Sequence, residues 1–327
     1  MIADNATRAI KNVLVPEYLG DAGEKMLSSR VNILRSDDVD EHSLCVAVPE
    51  ADGIVLRSRA RITEVVLDCA PRMRVVSRTG VGIDNIDINA CTRHGVIVCY
   101  LPGINAYAVA EHAISLMLAL LKCLPAMDRA VRSGGWDVRA KNLPQDAAGK
   151  VLGILGLGRI GHEIATRAKA FGMEVVGYDP IVKQFDGVEW MELDDVIAQA
   201  DVLTLHLPET QLTHHIINAD KIARMKHNAY LINTSRGGVI DQCALMQALK
   251  AKRIAGAALD VFESEPPVDD DELLSLDNVI LTPHVAALTE QCGALMMREA
   301  VKLLLDVLDG VTPQLRFIAN AAELGLM

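Results

Sequence analysis

Val151-Leu152-Gly153-Ile154-Leu155-Gly156-Leu157-Gly158-Arg159-Ile160-Gly161 reads as a strand entering a glycine turn and then a helix. Val151 to Leu155 is a short apolar run of the kind that a parallel sheet covers on both faces. Gly156, Gly158 and Gly161 give the spacing G-x-G-x-x-G. The first glycine permits a tight turn, the second lets a pyrophosphate approach the backbone, and the third lets helix and strand pack closely. The free N–H groups at that helix start favour a bound phosphate.

Glycine clusters also occur in ordinary turns, so the context decides. A helical pattern runs from Arg159 to Phe171, and Gly172 stands where a C-cap glycine would. A second strand follows from Met173 to Tyr178 and ends on Asp179, 18 residues beyond Gly161. That is close to the spacing of an acid that binds the ribose of a dinucleotide. Asp179 also suits a turn before Pro180. A carboxylate there accepts from ribose hydroxyls and repels a 2′-phosphate. NAD is therefore expected over NADP, with Lys183 the one cation close behind.

The chain has 327 residues, half of them hydrophobic, enough for two domains and too apolar for disorder. Its net charge of −11 opposes binding to nucleic acid or anionic membranes. Seven cysteines lie scattered without zinc spacing, so no metal site is expected and reduced thiols in the cytoplasm fit best. Met1 to Lys11 is polar and lacks a signal-peptide core. Ala113 to Leu121 is too short an apolar run to span a bilayer.

Outward from the glycine loop, strand-like runs lie at 12–15, 31–34, 53–56, 74–77 and 96–99. They lie again at 201–207, 230–233, 255–259 and 279–281, with helical patterns between them. The fold class expected is α/β: two doubly wound parallel-sheet domains, Rossmann-like or flavodoxin-like, with a cleft between them. The first half lacks the phosphate loop, since Pro16-Glu17-Tyr18 follows its first strand. A long apolar helix is expected from about Ala106 to Val131, kinked or ended at Pro125, and buried between domains or subunits. The last segment, Thr289 to Leu308, reads as an amphipathic helix.

A nicotinamide enzyme needs an acid/base, a substrate anchor, and a site at the carboxyl ends of the strands. Three predicted strands run into suitable residues: Arg236 after 230–233, Glu265 after 255–259, and His284 after 279–281. Arginine grips a carboxylate with two parallel hydrogen bonds. Histidine moves protons near neutrality, and a neighbouring carboxylate favours its charged form. Each residue also has a plainer use: a charge in a glycine turn for Arg236, one acid among several for Glu265, a helix cap for His284. The loop Arg57-Ser58-Arg59-Ala60-Arg61, if extended, sets three arginines on one face. That is either a solvated edge or a seat for a second anionic group on the substrate.

These segments resemble the D-isomer-specific 2-hydroxyacid dehydrogenases, most closely their phosphoglycerate-dehydrogenase-like branch. The matching stretches are Gly80 to Asp87, the Gly156 to Gly161 loop, Asn233 to Asp241, Asp260 to Pro266 and Thr282 to Ala286. The resemblance implies a substrate domain of residues 1–103 and 287–327 and an NAD domain of residues 104–286. It implies Arg236 as substrate anchor and His284 as acid/base with Glu265 as partner. Asp260 would meet the nicotinamide carboxamide, and Arg159 and Ile160 the pyrophosphate. His206, Leu207, Thr234 and Ser235 would line the cofactor cleft, His206 as a wall residue rather than a second base. Val81 would face the cofactor from the substrate domain, and Arg57, Ser58, Arg59, Val81 and Gly82 would meet the substrate. Tyr107 departs from the small hydroxyl residue frequent in the family. With the chain ending at Met327, no C-terminal regulatory domain is expected. The expected reaction is NAD-dependent interconversion of a D-2-hydroxy acid and its 2-oxo acid by a homodimer. The rivals are formate or phosphite oxidation on the same scaffold and an NAD-sensing corepressor-like protein.

Overall fold

The computed structural model describes residues 10–140 and 143–326. Most of the N-terminal stretch read above as polar, Met1 to Ala9, lies outside them. The chain forms two compact units, one of residues 1–105 with 290–327, the other of residues 106–289.

The first unit alternates strand and helix: β1 (Asn12–Leu14), α1 (Gly20–Ser28), β2 (Asn32–Leu34), α2 (Glu41–Ala47), β3 (Gly53–Leu56), α3 (Glu64–Asp68), β4 (Val75–Arg78), α4 (Ile88–Arg93) and β5 (Ile97–Cys99). All pairs are parallel, in the order β2-β1-β3-β4-β5. The helices begin where side chains satisfy their free N–H groups, as Asp40, Thr63 and Asp87 do for α2, α3 and α4.

The second unit opens with α5 (Ala106–Leu121) and α6 (Leu124–Arg132). The single long helix expected is thus two, bent by 58°. The break falls at Cys123, which takes a left-handed φ of 52°, and Pro125 sits in the first turn of α6, where its missing N–H costs nothing. There follow β6 (Val151–Leu155), α7 (Arg159–Ala170), β7 (Glu174–Tyr178), β8 (Glu189–Trp190), α8 (Leu193–Gln199) and β9 (Val202–Leu205). The unit ends with α9 (Ala219–Arg224), β10 (Tyr230–Asn233), α10 (Gln242–Lys250), β11 (Gly256–Leu259) and β12 (Val279–Leu281). The sheet order is β12-β11-β10-β9-β6-β7-β8, again wholly parallel. The order reverses between β6 and β9, which is where a doubly wound sheet opens a crevice for a ligand. The central strands β9, β10 and β11 are buried along their whole length, as their unbroken apolar sequences require.

α5 buries ten residues, and seven of them, from Ala110 to Leu121, pack in the core shared with α7 and the sheet of its own unit. Exposed apolar side chains lie just beyond it at Leu124, Val131, Trp136 and Leu143. Among the described residues no single helix is long and apolar enough to cross a membrane; α5 and α6 together pass by length and composition. The last helix, α11 (Glu290–Leu308), returns to the first unit. There the Ala300 carbonyl accepts from Ser77 Oγ at 2.8 Å, and Leu304 packs over Gly53.

Candidate active site

The glycine loop is built as the spacing requires. Gly156 has a φ of 102°, and a Cβ there would lie 2.6 Å from the backbone of His206. No other residue type fits a left-handed turn that tight. A Cβ on Gly161 would lie 2.3 Å from the Gly156 carbonyl, so α7 rests directly on the turn. At Gly158 a Cβ meets nothing within 4 Å, which leaves its surroundings open to a ligand. Arg159 is exposed at the helix start, while Ile160 packs in part on the apolar core.

Asp179 follows β7 and is buried. Its Oδ2 accepts from Leu157 N at 2.9 Å, and its Oδ1 from Ile181 N at 2.8 Å and Val182 N at 2.9 Å. The carboxylate thus ties the glycine loop to the turn after β7. The ribose-binding and turn readings of this residue share one side chain. Lys183 is drawn to an aromatic face, with Nζ 5.1 Å from the ring centroid of Trp190.

His206 follows β9, its Nε2 2.8 Å from Thr204 Oγ1. Burial pushes its pKa down to about 3, so the ring is neutral and cannot serve as a second base at ordinary pH. Leu207 is buried in the core. Two buried polar atoms here lack a hydrogen-bond partner, His206 Nδ1 and Thr234 Oγ1. Orphans of this kind are rare in native interiors and point to a bound group. With the open glycine loop, they fit a dinucleotide.

After β10 the chain turns sharply. Asn233 Oδ1 accepts from Ser235 N at 3.0 Å and Ser235 Oγ at 2.8 Å, and Asn233 Nδ2 donates to the Arg236 carbonyl at 2.8 Å. Arg236 Nη1 donates to the Ser235 carbonyl at 2.7 Å. A Cβ on Gly237 would lie 1.9 Å from the Phe262 carbonyl oxygen, so the arginine turn lies flat against the backbone after β11.

That backbone carries Glu265. Its Oε1 accepts from Phe262 N at 3.2 Å, and its Oε2 lies 2.7 Å from His284 Nδ1. Burial raises the Glu265 carboxyl, but the His284 bond and charge, the Phe262 N–H and the Arg236 charge outweigh it and hold it below the ordinary range. His284 follows β12 with a φ of 53°, a strained backbone for a histidine. Its N–H donates to the Asp260 carbonyl at 2.8 Å.

Asp260, fully buried, holds this loop in place. Its Oδ1 accepts from Thr282 Oγ1 at 2.6 Å and Val285 N at 2.9 Å, and its Oδ2 from Ala286 N at 2.9 Å. His112 Nε2 lies 3.2 Å from Thr282 Oγ1 and 3.5 Å from Asp260 Oδ1. Burial raises the Asp260 carboxyl, and these bonds bring it below its usual value. The sequence pattern gives His112 no role, because its contacts to Thr282 and Asp260 join segments far apart in the chain.

In the first unit the loop at 57–61 is not extended. It bends at Ser58–Arg59, which removes the premise that three arginines share one face. Arg57 Nη1 donates to the Tyr18 carbonyl at 3.2 Å, and Arg59 Nη2 lies 3.9 Å from Asp38. The backbone N–H groups of Arg57, Arg59 and Ala60 donate to the Glu17 carboxylate at 3.2–3.4 Å. Val81 and Gly82 lie half-buried beyond β4. Asn85, in the same segment, donates through Nδ2 to the carbonyls of Arg57 at 3.1 Å and Ala60 at 2.6 Å, pinning the loop.

A doubly wound domain with an open glycine loop, a buried acid after its second strand, and an arginine, a glutamate and a histidine gathered after strands β10, β11 and β12 defines a dinucleotide-dependent α/β protein with an acid–base site. Residues 114–286 match the NAD-binding domain of the D-isomer specific 2-hydroxyacid dehydrogenases. The chain belongs to that family. It is 40% identical over 284 residues to a D-3-phosphoglycerate dehydrogenase of Archaeoglobus fulgidus, covering 85% of this chain and 54% of that protein. It is 37% identical over 274 residues to a hydroxypyruvate reductase of Thermotoga maritima, covering 83% and 89%. Among solved structures, the TT0316 protein of Thermus thermophilus is similar with a TM-score of 0.88 and 32% identity, covering 94% of this chain and 99% of that one. The chain spans about half the length of the phosphoglycerate dehydrogenases it matches.

Proposed function

We propose that this chain interconverts a D-2-hydroxy acid and its 2-oxo acid, with NAD as the redox partner. The observation that carries the reading is the 2.7 Å bond between Glu265 and His284 Nδ1, which leaves Nε2 for a substrate oxygen. When bound, the nicotinamide supplies or takes up the hydride. Arg236 holds the substrate carboxylate in its planar fork. In oxidation neutral His284 takes the hydroxyl proton; in reduction its charged form returns a proton to the ketone. Glu265 sets the ring's orientation and favours the charged form. Asp260, with Thr282 and His112, holds the backbone that carries His284.

Gly156, Gly158, Arg159, Ile160 and Gly161 would receive the pyrophosphate, Asp179 the ribose hydroxyls, and His206, Leu207, Thr234, Ser235, Asp260 and Val81 the rest of the cofactor. The exposed Ser58 and Arg59, with Arg57, Val81 and Gly82, would meet the substrate. Residues 1–103 with 287–327 would form the substrate domain. A homodimer in the cytoplasm completes the reading. The unburied apolar side chains of Leu124, Val131 and Trp136, next to α5, support the pairing. A turnover assay with NAD against D-2-hydroxy acids, their 2-oxo acids, formate and phosphite tests it. Activity on hydroxy or oxo acids alone is expected. Turnover of formate or phosphite, or binding of NAD without turnover of any substrate, would overturn it.

A further inference from the structure

His215 stands outside every role assigned so far, yet it touches both loops that carry the chemistry. It lies in the segment between β9 and α9 and takes a left-handed φ of 49°. Its backbone N–H donates to the Gly238 carbonyl at 2.8 Å, two residues from Arg236. Its Nε2 lies 2.6 Å from Glu263 Oε1, two residues before Glu265. Glu263 is held a second time, since its N–H donates to Gln242 Oε1 at 3.2 Å and its Oε1 accepts from Gln242 N at 3.3 Å. The His215 ring stacks on that of His214, centroids 4.0 Å apart, and His214 Nδ1 lies 3.1 Å from Glu209 Oε1.

We infer that His215 is a positioning residue for the acid–base pair. Through its backbone it fixes the turn that presents Arg236, and through its ring and Glu263 it fixes the loop that presents Glu265 to His284. The inference rests on the proposed reaction but concerns geometry within one unit. The left-handed backbone explains how one residue reaches both loops: a residue in ordinary helical or extended conformation would send ring and N–H along other directions. The pair is more than a third exposed on each side, so its effect is modest.

The test compares His215→Leu with His215→Gln. Both side chains meet the same backbone penalty, and only glutamine returns a donor toward Glu263. His215→Leu is expected to lower kcat in the 2-oxo acid direction by roughly three- to tenfold and to move the alkaline fall of that rate to lower pH. NAD affinity by calorimetry should stay unchanged. His215→Gln should restore most of the rate and the wild-type profile. His215→Leu combined with Glu263→Gln should lose no more than His215→Leu alone, because both changes break one link. A readout independent of turnover is the histidine-ring NMR spectrum, in which the His284 signals at fixed pH should move in the leucine variant and not in the glutamine variant. Unchanged His284 signals and an unchanged profile in His215→Leu, or equal losses in the leucine and glutamine variants, would overturn the inference. Absence of turnover in the unsubstituted protein would instead count against the proposed function, with the NMR result still deciding on His215.

Discussion

Glu265 Oε2 lies 2.7 Å from His284 Nδ1, and the two residues come from loops that follow neighbouring parallel strands, β11 and β12. Glu263, two residues before Glu265, is engaged by His215 instead. Adjacent strands place the pair, and Asp260 clamps the His284 loop by accepting from Val285 and Ala286 N–H at 2.9 Å.

Gly237 is expected to tolerate no side chain. An added Cβ would lie 1.9 Å from the Phe262 carbonyl oxygen, and a backbone atom cannot swing aside as a side chain can. Gly237→Ala should cost roughly 1–3 kcal/mol of stability and should separate Arg236 from the Glu265 loop. Thermal melting and turnover together check this. Wild-type melting with wild-type activity would show that the two loops need not touch.

Asp179 should make NAD bind more tightly than NADP, because a buried carboxylate repels a 2′-phosphate. Asp179→Ala should narrow the gap. It should also weaken NAD binding itself, since the carboxylate holds the Leu157, Ile181 and Val182 N–H groups that shape the loop. Calorimetry with both cofactors measures each effect. Equal affinities in the unsubstituted protein would remove the argument.

Acid should unfold the second unit in part through Asp260. Its carboxyl is held below the ordinary value, so its contribution is complete above about pH 4 and is lost as pH falls through the lower folded value. Asp260→Asn should cost roughly 1–3 kcal/mol near neutrality and flatten the fall of stability below that pH. Denaturant melts between neutral and acid pH are the check. Parallel curves for the two proteins would show that Asp260 is not a charged organiser.

The oligomer expected is a dimer paired through the α6 region. Light scattering should give about twice the 35.4 kDa of one chain, and Val131→Glu should shift the mass toward one chain. A single-chain mass at working concentration would contradict the pairing.

Legibility followed the range of the interactions. The glycine loop, the strands of both sheets and the arginine, glutamate and histidine after β10, β11 and β12 could be read because each depends on local spacing and periodicity. The bend at Ser58–Arg59 could not, because it goes with backbone hydrogen bonds to Glu17, about forty residues earlier. β8, only two residues long, leaves no periodic trace. The break at Cys123 comes two residues before Pro125, since proline is tolerated in a first turn and the chain bends ahead of it. An apolar helix such as α5 announces burial without naming what buries it. Local spacing singles out neither His112 nor His215, and only the folded loops show what they hold.

The most direct measurement of the acid–base account is the pH–rate profile in both directions for the unsubstituted protein, His284→Ala and Glu265→Gln. His284→Ala should slow both directions by roughly a hundred- to ten-thousand-fold, with NAD affinity little changed. Glu265→Gln keeps shape and a hydrogen bond but removes the charge that favours the imidazolium. Its reductive rate should therefore fail at lower pH than in the unsubstituted protein and be weaker near neutrality, while oxidation, which needs the neutral ring, should lose less on the acid side. A reductive profile of Glu265→Gln that overlays the unsubstituted one, or a His284→Ala variant that keeps its rate, would contradict the account.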